Sequence, residues 1–146
     1  MADTAETLPA SPHDLATRYV AVWNEPDPDT RRSLIRDLWA PSGGQVLEAP
    51  QGLRDTARSI GFDAPTLEAR GYAALEVRVA RAHEEFVGTG QFTFRARGDA
   101  ARLGDVVKFR WEMVPVGGRD VAGVGLDVFL LDDEDRIQED YQFIES

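Results

Sequence analysis

Val121-Ala122-Gly123-Val124-Gly125-Leu126-Asp127-Val128-Phe129-Leu130-Leu131 is the stretch that decides the fold. Its residues alternate between two faces at strand period, and both faces are mainly apolar. Val124, Leu126, Val128 and Leu130 share one face. Gly125, Asp127 and Phe129 share the other. A strand apolar on both sides belongs inside a sheet that is covered on both sides. Helices can cover one face, and a second copy of the chain is the economical cover for the other.

The same alternation surrounds this segment. Phe92, Phe94 and Ala96 alternate with Thr93, Arg95 and Arg97, and Val107, Phe109, Trp111 and Met113 alternate with Lys108, Arg110 and Glu112. Gly117-Gly118 marks a hairpin, Asp132 to Asp135 an acidic turn, and Ile137 to Ile144 a last strand. Before Gly88 the period is helical. Ser11-Pro12-His13-Asp14 and Asp27-Pro28 are helix starts, each with a capping side chain ahead of a proline. Leu15, Tyr19, Val22 and Trp23 form the first buried stripe; Leu34, Ile35 and Leu38 form the second, which Trp39-Ala40-Pro41 ends. Ser42-Gly43-Gly44 reads as a turn before a short strand, Gln45 to Glu48. Residues 53 to 60 read as a short helix and Gly61 to Arg70 as loop. The stretch 51 to 70 is expected to be a mobile cover over a cavity mouth. A third helix follows Gly71, with Tyr72, Leu75, Val79, His83 and Phe86 on or near one stripe. Helices first and antiparallel strands after them indicate an α+β domain, expected over residues 11–146 behind a loose tail, 1–10.

Composition narrows the function. The 146 residues suit one domain with a real core. A net charge of −10 argues against a nucleic-acid or anionic-membrane partner. No cysteine is present, and the two histidines, His13 and His83, stand far apart, so neither a thiolate site nor a His-rich metal site is expected. There is no Gly-rich phosphate loop, and no cofactor is implied. No signal-peptide pattern opens the sequence, and the expected location is the cytoplasm.

Asp127 is the conspicuous residue, because a carboxylate fits a strand interior poorly. It either faces water or an arginine, or it points into a pocket with its protonation equilibrium shifted by burial. His83 is either a general base near neutral pH or a histidine at the core margin. Arg78 reads as solvated, and the acidic 132–135 turn as a hairpin tip.

Taken in order, Arg18-Tyr19-Val20-Ala21-Val22-Trp23-Asn24, Trp39-Ala40-Pro41, Phe109-Arg110-Trp111-Glu112, Gly125-Leu126-Asp127-Val128 and Asp135-Arg136-Ile137 leading into Tyr141-Gln142-Phe143 resemble the nuclear-transport-factor-2-like superfamily, in its SnoaL-like and steroid delta-isomerase-like branch. The resemblance covers about residues 12 to 145. It implies a cone-shaped, curved antiparallel sheet wrapped around three main helices and enclosing an apolar pocket. It also implies that Tyr19 and Asp127 correspond to the isomerases' oxyanion-binding Tyr and protonated Asp. The isomerase base falls at Ala49, before Pro50, while the adjacent Glu48 is turned to the opposite face. The oxyanion half of the constellation is therefore matched and the base half is not. Epoxide hydrolases of the same superfamily need a buried Arg between two carboxylates. Here the second carboxylate position falls at about Gln142, an amide, and if Phe109 and Trp111 face the cavity, Arg110 and Glu112 face away from it.

The resulting expectation is a pocket protein with Tyr19 and Asp127 as catalytic residues. Trp23, Tyr72, His83, Phe94, Phe109, Trp111, Phe129 and Tyr141 are expected to line the pocket. The ligand is a small apolar molecule, and a homodimer is expected. Two functions remain open: an isomerase- or cyclase-like enzyme that stabilises an enolate or moves a proton on an apolar carbonyl substrate, and a non-catalytic binding or interaction domain.

Overall fold

The computed structural model describes residues 10–48 and 67–145. Helix α1 (Pro12–Asn24) starts where the Ser11 side chain accepts from the Asp14 N–H. Helix α2 (Pro28–Leu38) starts where the Asp27 side chain accepts from the Thr30 N–H. Each cap satisfies an N–H that the first turn leaves without an intrahelical partner, and each is followed by a proline that has no N–H to satisfy. Helix α3 (Tyr72–Ala82) follows Gly71, whose φ of 84° lies in the left-handed region that glycine enters without strain. Its end widens into one π-helical turn, His83–Val87. Among the described residues, no helix is long and apolar enough to cross a membrane.

The strands are β1 (Trp39–Glu48), β2 (Glu68–Arg70), β3 (Phe92–Ala96), β4 (Ala101–Leu103), β5 (Val106–Pro115), β6 (Gly123–Leu131) and β7 (Ile137–Ile144). They form one seven-stranded sheet in the order β2-β1-β7-β6-β5-β3, with β4 also paired to β5. Helices α1 and α2 precede the sheet and α3 follows β2, and all three cover the inner face. One feature differs from an all-antiparallel sheet: β1 runs parallel to β7. Such a pair needs a long connection, and here α3 and the β3–β6 strands supply it.

Strand β6 occupies the middle of the sheet. Gly123, Gly125, Asp127, Phe129 and Leu131 are buried on the inner side. Val124, Leu126 and Val128 are half-buried on the outer side, and Leu130 is 42% exposed there. The inner core is aromatic. The Tyr19 ring packs against Trp23, Trp39, Phe109 and Phe129, with centroids 5.0–5.7 Å apart.

The local reading needs two corrections. Ser42-Gly43-Gly44 is not a turn but lies within β1, where the register against β7 shifts between Trp39 and Gly44. A Cβ on Gly43 would meet the Ile137 carbonyl, and one on Gly44 would meet the Ala69 carbonyl. The glycines therefore serve a bulge pinched between two neighbouring backbones. The predicted loop up to Arg70 ends instead in β2, whose three residues are too few to show a period. Arg70 fastens it there through ion pairs to Glu68 and Glu139. Ala49, Pro50, the expected helix at 53–60 and the expected cover up to residue 66 lie outside the described residues, as does the tail over residues 1–9.

Gly125 has a further role, since a Cβ there would overlap the Trp111 indole directly across the β5–β6 pair. Gly125→Ala should therefore lower the unfolding free energy by ~1–3 kcal/mol, the usual range for overpacking a filled site. Urea unfolding would measure this, and an unchanged midpoint would contradict the packing.

Candidate functional site

Directly opposed residues in neighbouring strands share a face of the sheet. Gln45 on β1 stands opposite Asp140 on β7. Gln142 on β7 stands opposite Asp127 on β6, and Trp111 on β5 stands opposite Gly125. The register therefore lays a polar row across the inner face: Gln45, Asp140, Gln142, Asp127 and Trp111. Helix α1 lowers Tyr19 onto this row, and α3 adds Arg78.

The Tyr19 hydroxyl is the hub. It lies 2.8 Å from Asp127 Oδ2 and 2.7 Å from Asp140 Oδ2. Gln45 Nε2 donates to the same hydroxyl at 2.8 Å and to Asp140 Oδ2 at 2.9 Å. Trp111 Nε1 donates to Asp127 Oδ1 at 2.6 Å, and Gln142 Nε2 donates to the same oxygen at 3.2 Å. Trp111 reaches Asp127 only because Gly125 leaves room for its ring. Arg78 Nε donates to Gln45 Oε1 at 3.0 Å, and Arg78 Nη2 approaches Gln142 Oε1 at 3.4 Å. The Arg78 guanidinium also stacks on Trp23, 4.8 Å from the ring centroid.

Asp127 and Asp140 are both fully buried. Burial, and after it the charge of Asp127, pushes the Asp140 carboxyl well above the usual Asp range. Burial and the same two carboxyl groups raise the Tyr19 hydroxyl as well. Burial pulls Arg78 down to about 10, which leaves it cationic at neutral pH.

Beside this network lies a cavity of about 240 Å³. Its walls are mostly apolar: Val20 and Trp23 from α1, Ala82 and Phe86 from the third helical segment, Phe94 from β3 and Met113 from β5, with Leu47 and Ile144 among the rest. Its polar lining comes from Tyr19, Arg78, Gln142 and Trp111. Asp127, Asp140 and Gln45 stand behind these four.

The residues singled out from the sequence divide into groups. Tyr19, Trp23, Phe94 and Trp111 border the cavity. Phe109 and Phe129 are wholly buried against the Tyr19 ring and support it from behind. Tyr72 lies on the α2–α3 seam, with its hydroxyl donating to the Trp39 carbonyl and the Arg36 guanidinium over its ring. His83 belongs to the π turn, where burial and the nearby Arg31 charge lower its affinity for a proton. Tyr141 is 40% exposed on the outer face. Its neighbours Asp140 and Gln142 point inward, so Tyr141 and Phe143 are turned outward. Arg110 and Glu112 also lie outside, paired with Glu145 and with Arg95 and Arg97.

Four members of the network were not singled out: Gln45, Arg78, Asp140 and, as a participant, Gln142. Arg78 is buried, not solvated. The signal was present in the sequence, because 75, 78, 79 and 82 follow helical spacing and Leu75, Val79 and Ala82 are the other buried members of that stripe. Asp140 and Gln142 keep the period-2 phase of Ile144.

Three helices against a strongly curved sheet, with a cavity between them, make up the cone fold shared by SnoaL-like and ketosteroid isomerase-like proteins. Among solved structures, the chain is similar to a SnoaL-like family protein from Agrobacterium tumefaciens, at 24% identity over 92% of this chain and 97% of that one, with a TM-score of 0.72. It is also similar to a protein of ketosteroid isomerase-like fold from Catenulispora acidiphila, solved in complex with trimethylamine, at 14% identity, 90% and 85% coverage, and a TM-score of 0.57. A third is TerC, co-crystallised with polyporic acid, at 15% identity, 92% coverage of each chain, and a TM-score of 0.59. No family model matches the sequence, and no curated protein does. These likenesses establish the fold; the activity has to be argued from the site.

The raised Asp140 carboxyl makes a prediction about stability. Its folded form holds a proton that the unfolded chain releases near pH 3.8. The folded state then binds more protons, so stability falls as pH rises above that point and keeps falling until the folded carboxyl ionises. The carboxylates with lowered pKa, Asp27, Glu112 and Asp135, act in the opposite sense but below that window. His83, whose proton affinity is lowered in the fold, makes stability rise with pH up to about its ordinary 6.5 in both proteins, so the readout is the difference: from pH 5 to pH 8 the urea midpoint of the native protein should decline relative to that of Asp140→Asn. Equal slopes would exclude this carboxyl as the source.

Proposed function

We propose that this chain is a small-molecule pocket protein that takes an apolar carbonyl compound and stabilises its enolate, or moves a proton on it, at the polar end of the cavity. Tyr19 is the catalytic donor of this reading, and Asp127 is the carboxyl group that holds its hydroxyl. One observation carries it: in an otherwise apolar cavity the polar lining includes a tyrosine whose hydroxyl is tied to two buried carboxyl groups. A carbonyl oxygen brought to Tyr19 would meet an O–H donor beside the Arg78 cation. Negative charge developing on that oxygen is stabilised by both, more strongly in a low-dielectric site than in water. Phe94, Trp23 and Trp111 would hold the apolar body of the substrate. That other proteins of this fold were solved with trimethylamine and with polyporic acid supports a pocket open to small organic molecules.

The second reading, a non-catalytic binding domain, is favoured by a specific observation. Asp127 is fully buried and already accepts from Tyr19, Trp111 and Gln142, so it does not itself reach the cavity. The location proposed is the cytoplasm. The assembly proposed is a homodimer through the outer sheet face, where Leu126, Val128 and Phe143 are half-buried and Leu130 and Tyr141 are 42% and 40% exposed. Sedimentation equilibrium at micromolar concentration should show the dimer, and Leu130→Glu should dissociate it. A monomer in the native protein would remove this assembly.

Binding of naphthol, followed by its fluorescence, tests the pocket. Its ionised form mimics an enolate and should bind more tightly than a neutral hydrocarbon of the same shape. Tyr19→Phe should weaken that form by ~1.5–3 kcal/mol, the usual worth of a hydrogen bond to a charged group. Exchange of the α-protons of an apolar ketone in D2O, absent in Tyr19→Phe, would favour the enzyme. Binding without exchange favours the second reading. A naphtholate that binds no better than the hydrocarbon overturns both the enolate pocket and its polar end.

A further inference from the structure

The hydrogen bonds around Tyr19 cannot all form unless the cluster contains one more proton than the tyrosine supplies. Arg78 is the starting point, because a guanidinium only donates. Its Nε faces one oxygen of the Gln45 side chain, and its Nη2 faces one of Gln142. Both amides must therefore turn their oxygens to Arg78 and their NH2 groups to the other side. Gln45 Nε2 then spends its two hydrogens on Tyr19 and on Asp140 Oδ2. The Tyr19 hydroxyl has a single hydrogen but two carboxyl oxygens at 2.7 and 2.8 Å. It can donate to only one of them. The other contact is a hydrogen bond only if that carboxyl carries a proton and donates it to the tyrosine oxygen.

The surroundings determine which carboxyl that is. Asp127 is met by donors on both oxygens: Trp111 and Gln142 on Oδ1, Tyr19 on Oδ2. Asp140 receives Gln45 on Oδ2, while its Oδ1 is buried with no hydrogen-bond partner. A charged oxygen in that position would be severely destabilising, whereas the carbonyl oxygen of a neutral acid is tolerated. We infer that Asp140 is a neutral carboxylic acid at neutral pH, that its proton lies between Asp140 Oδ2 and the Tyr19 oxygen, and that Arg78 is the positioning residue that fixes this arrangement through the two amides. The groups facing Asp140 are Tyr19 from α1, Arg78 from α3, Asp127 from β6 and the uncharged Gln45 from β1. One cation, one carboxylate and one neutral acid leave the buried cluster without net charge.

This deepens the proposed function and rests on its reading of Tyr19 as the proton-bearing group of the site. When Tyr19 hands its proton to Asp127 or to a substrate oxygen, Asp140 Oδ2–H can refill it. The O–H bond of Asp140 breaks as that of Tyr19 re-forms, and Asp140 is left as the carboxylate. The reservoir is therefore a residue that does not touch the ligand.

The experiment needs no ligand, so it can fail independently of the pocket reading. In 13C-labelled protein, the assigned carboxyl carbon of Asp140 is followed by NMR between pH 5 and pH 8. It should stay at the shift of a protonated acid through pH 7. An Asp140 already ionised at pH 5 overturns the inference, whatever naphthol binding shows. Arg78→Met tests the positioning role in a second experiment. With the guanidinium removed, nothing on α3 holds the Gln45 and Gln142 oxygens toward it. Arg78→Lys keeps the charge and, like arginine, only donates. The side-chain NH2 resonances of Gln45 and Gln142 should shift in the Met variant and return in the Lys variant. A folded Arg78→Met protein with unmoved amide signals would rule out the positioning role.

Discussion

A single phenolic hydroxyl held between two carboxyl groups, with no water-exposed surface on either acid, is the constraint on which the rest of the structure depends. Two carboxylates that close cannot both stay charged away from solvent, and a tyrosine between them cannot satisfy both. Every neighbouring feature acts to relieve this conflict. Trp111 and Gln142 solvate Asp127, Gln45 serves Asp140 and Tyr19, and Arg78 compensates the remaining charge while setting both amides. Gly125 belongs to the same set, because without the space above it Trp111 could not lie across the strand toward Asp127. The network is satisfied almost throughout, which is the condition under which buried polar groups specify a structure instead of weakening it.

The sheet supplies the precision. Side chains on one strand reach only what the register sets opposite them, and the register here joins three strand pairs, one of them parallel, into a single polar row. The β1 bulge at Gly43-Gly44 shifts the phase of β1 so that Gln45 faces inward beside Asp140. A one-residue slip would turn Gln45 outward and place Val46 there. The aromatic packing around Tyr19 has a matching role. Phe109, Phe129, Trp39 and Trp23 hold the ring on several sides, so the hydroxyl position is set by packing before any hydrogen bond forms.

Much of this was legible in the sequence. The periods of Phe92–Ala96, Ile137–Ile144 and the first two helices were clear because each element is long, capped or alternating over its full length. Tyr19 and Asp127 stood out as residues unusual for their positions, and the structure joins them directly. What stayed hidden was hidden for physical reasons. Pairing across sheet neighbours distant in sequence, such as Gln45 with Asp140, leaves no local mark. Glu68–Arg70 is too short to show a period. Arg78 was read by its charge, although its spacing from Leu75, Val79 and Ala82 placed it inside. Tyr141 was read by its apolarity, although the phase of Ile144 placed it outside. In both cases periodicity was the better guide and residue type the worse one.

This difference bears on chemistry as well as on folding. Matching Tyr19 and Asp127 to a two-residue oxyanion site treats each as a donor aimed at a substrate. The geometry places Asp127 one layer further back, as an acceptor shielded by Trp111 and Gln142, and puts Tyr19 and Arg78 at the cavity wall. A donor held this way is pre-oriented, but its hydrogen is already shared, so a ligand oxygen must draw it away from a carboxylate. That exchange becomes favourable as the ligand oxygen gains negative charge, while Asp140 keeps donating to the Tyr19 oxygen. On the proposed reading, the arrangement would discriminate against a neutral ground-state carbonyl and in favour of its enolate, the differential binding on which catalysis depends. A pocket serving only to hold a neutral apolar molecule has no use for such discrimination, and an apolar core of the same volume would be at least as stable as a buried ionic one.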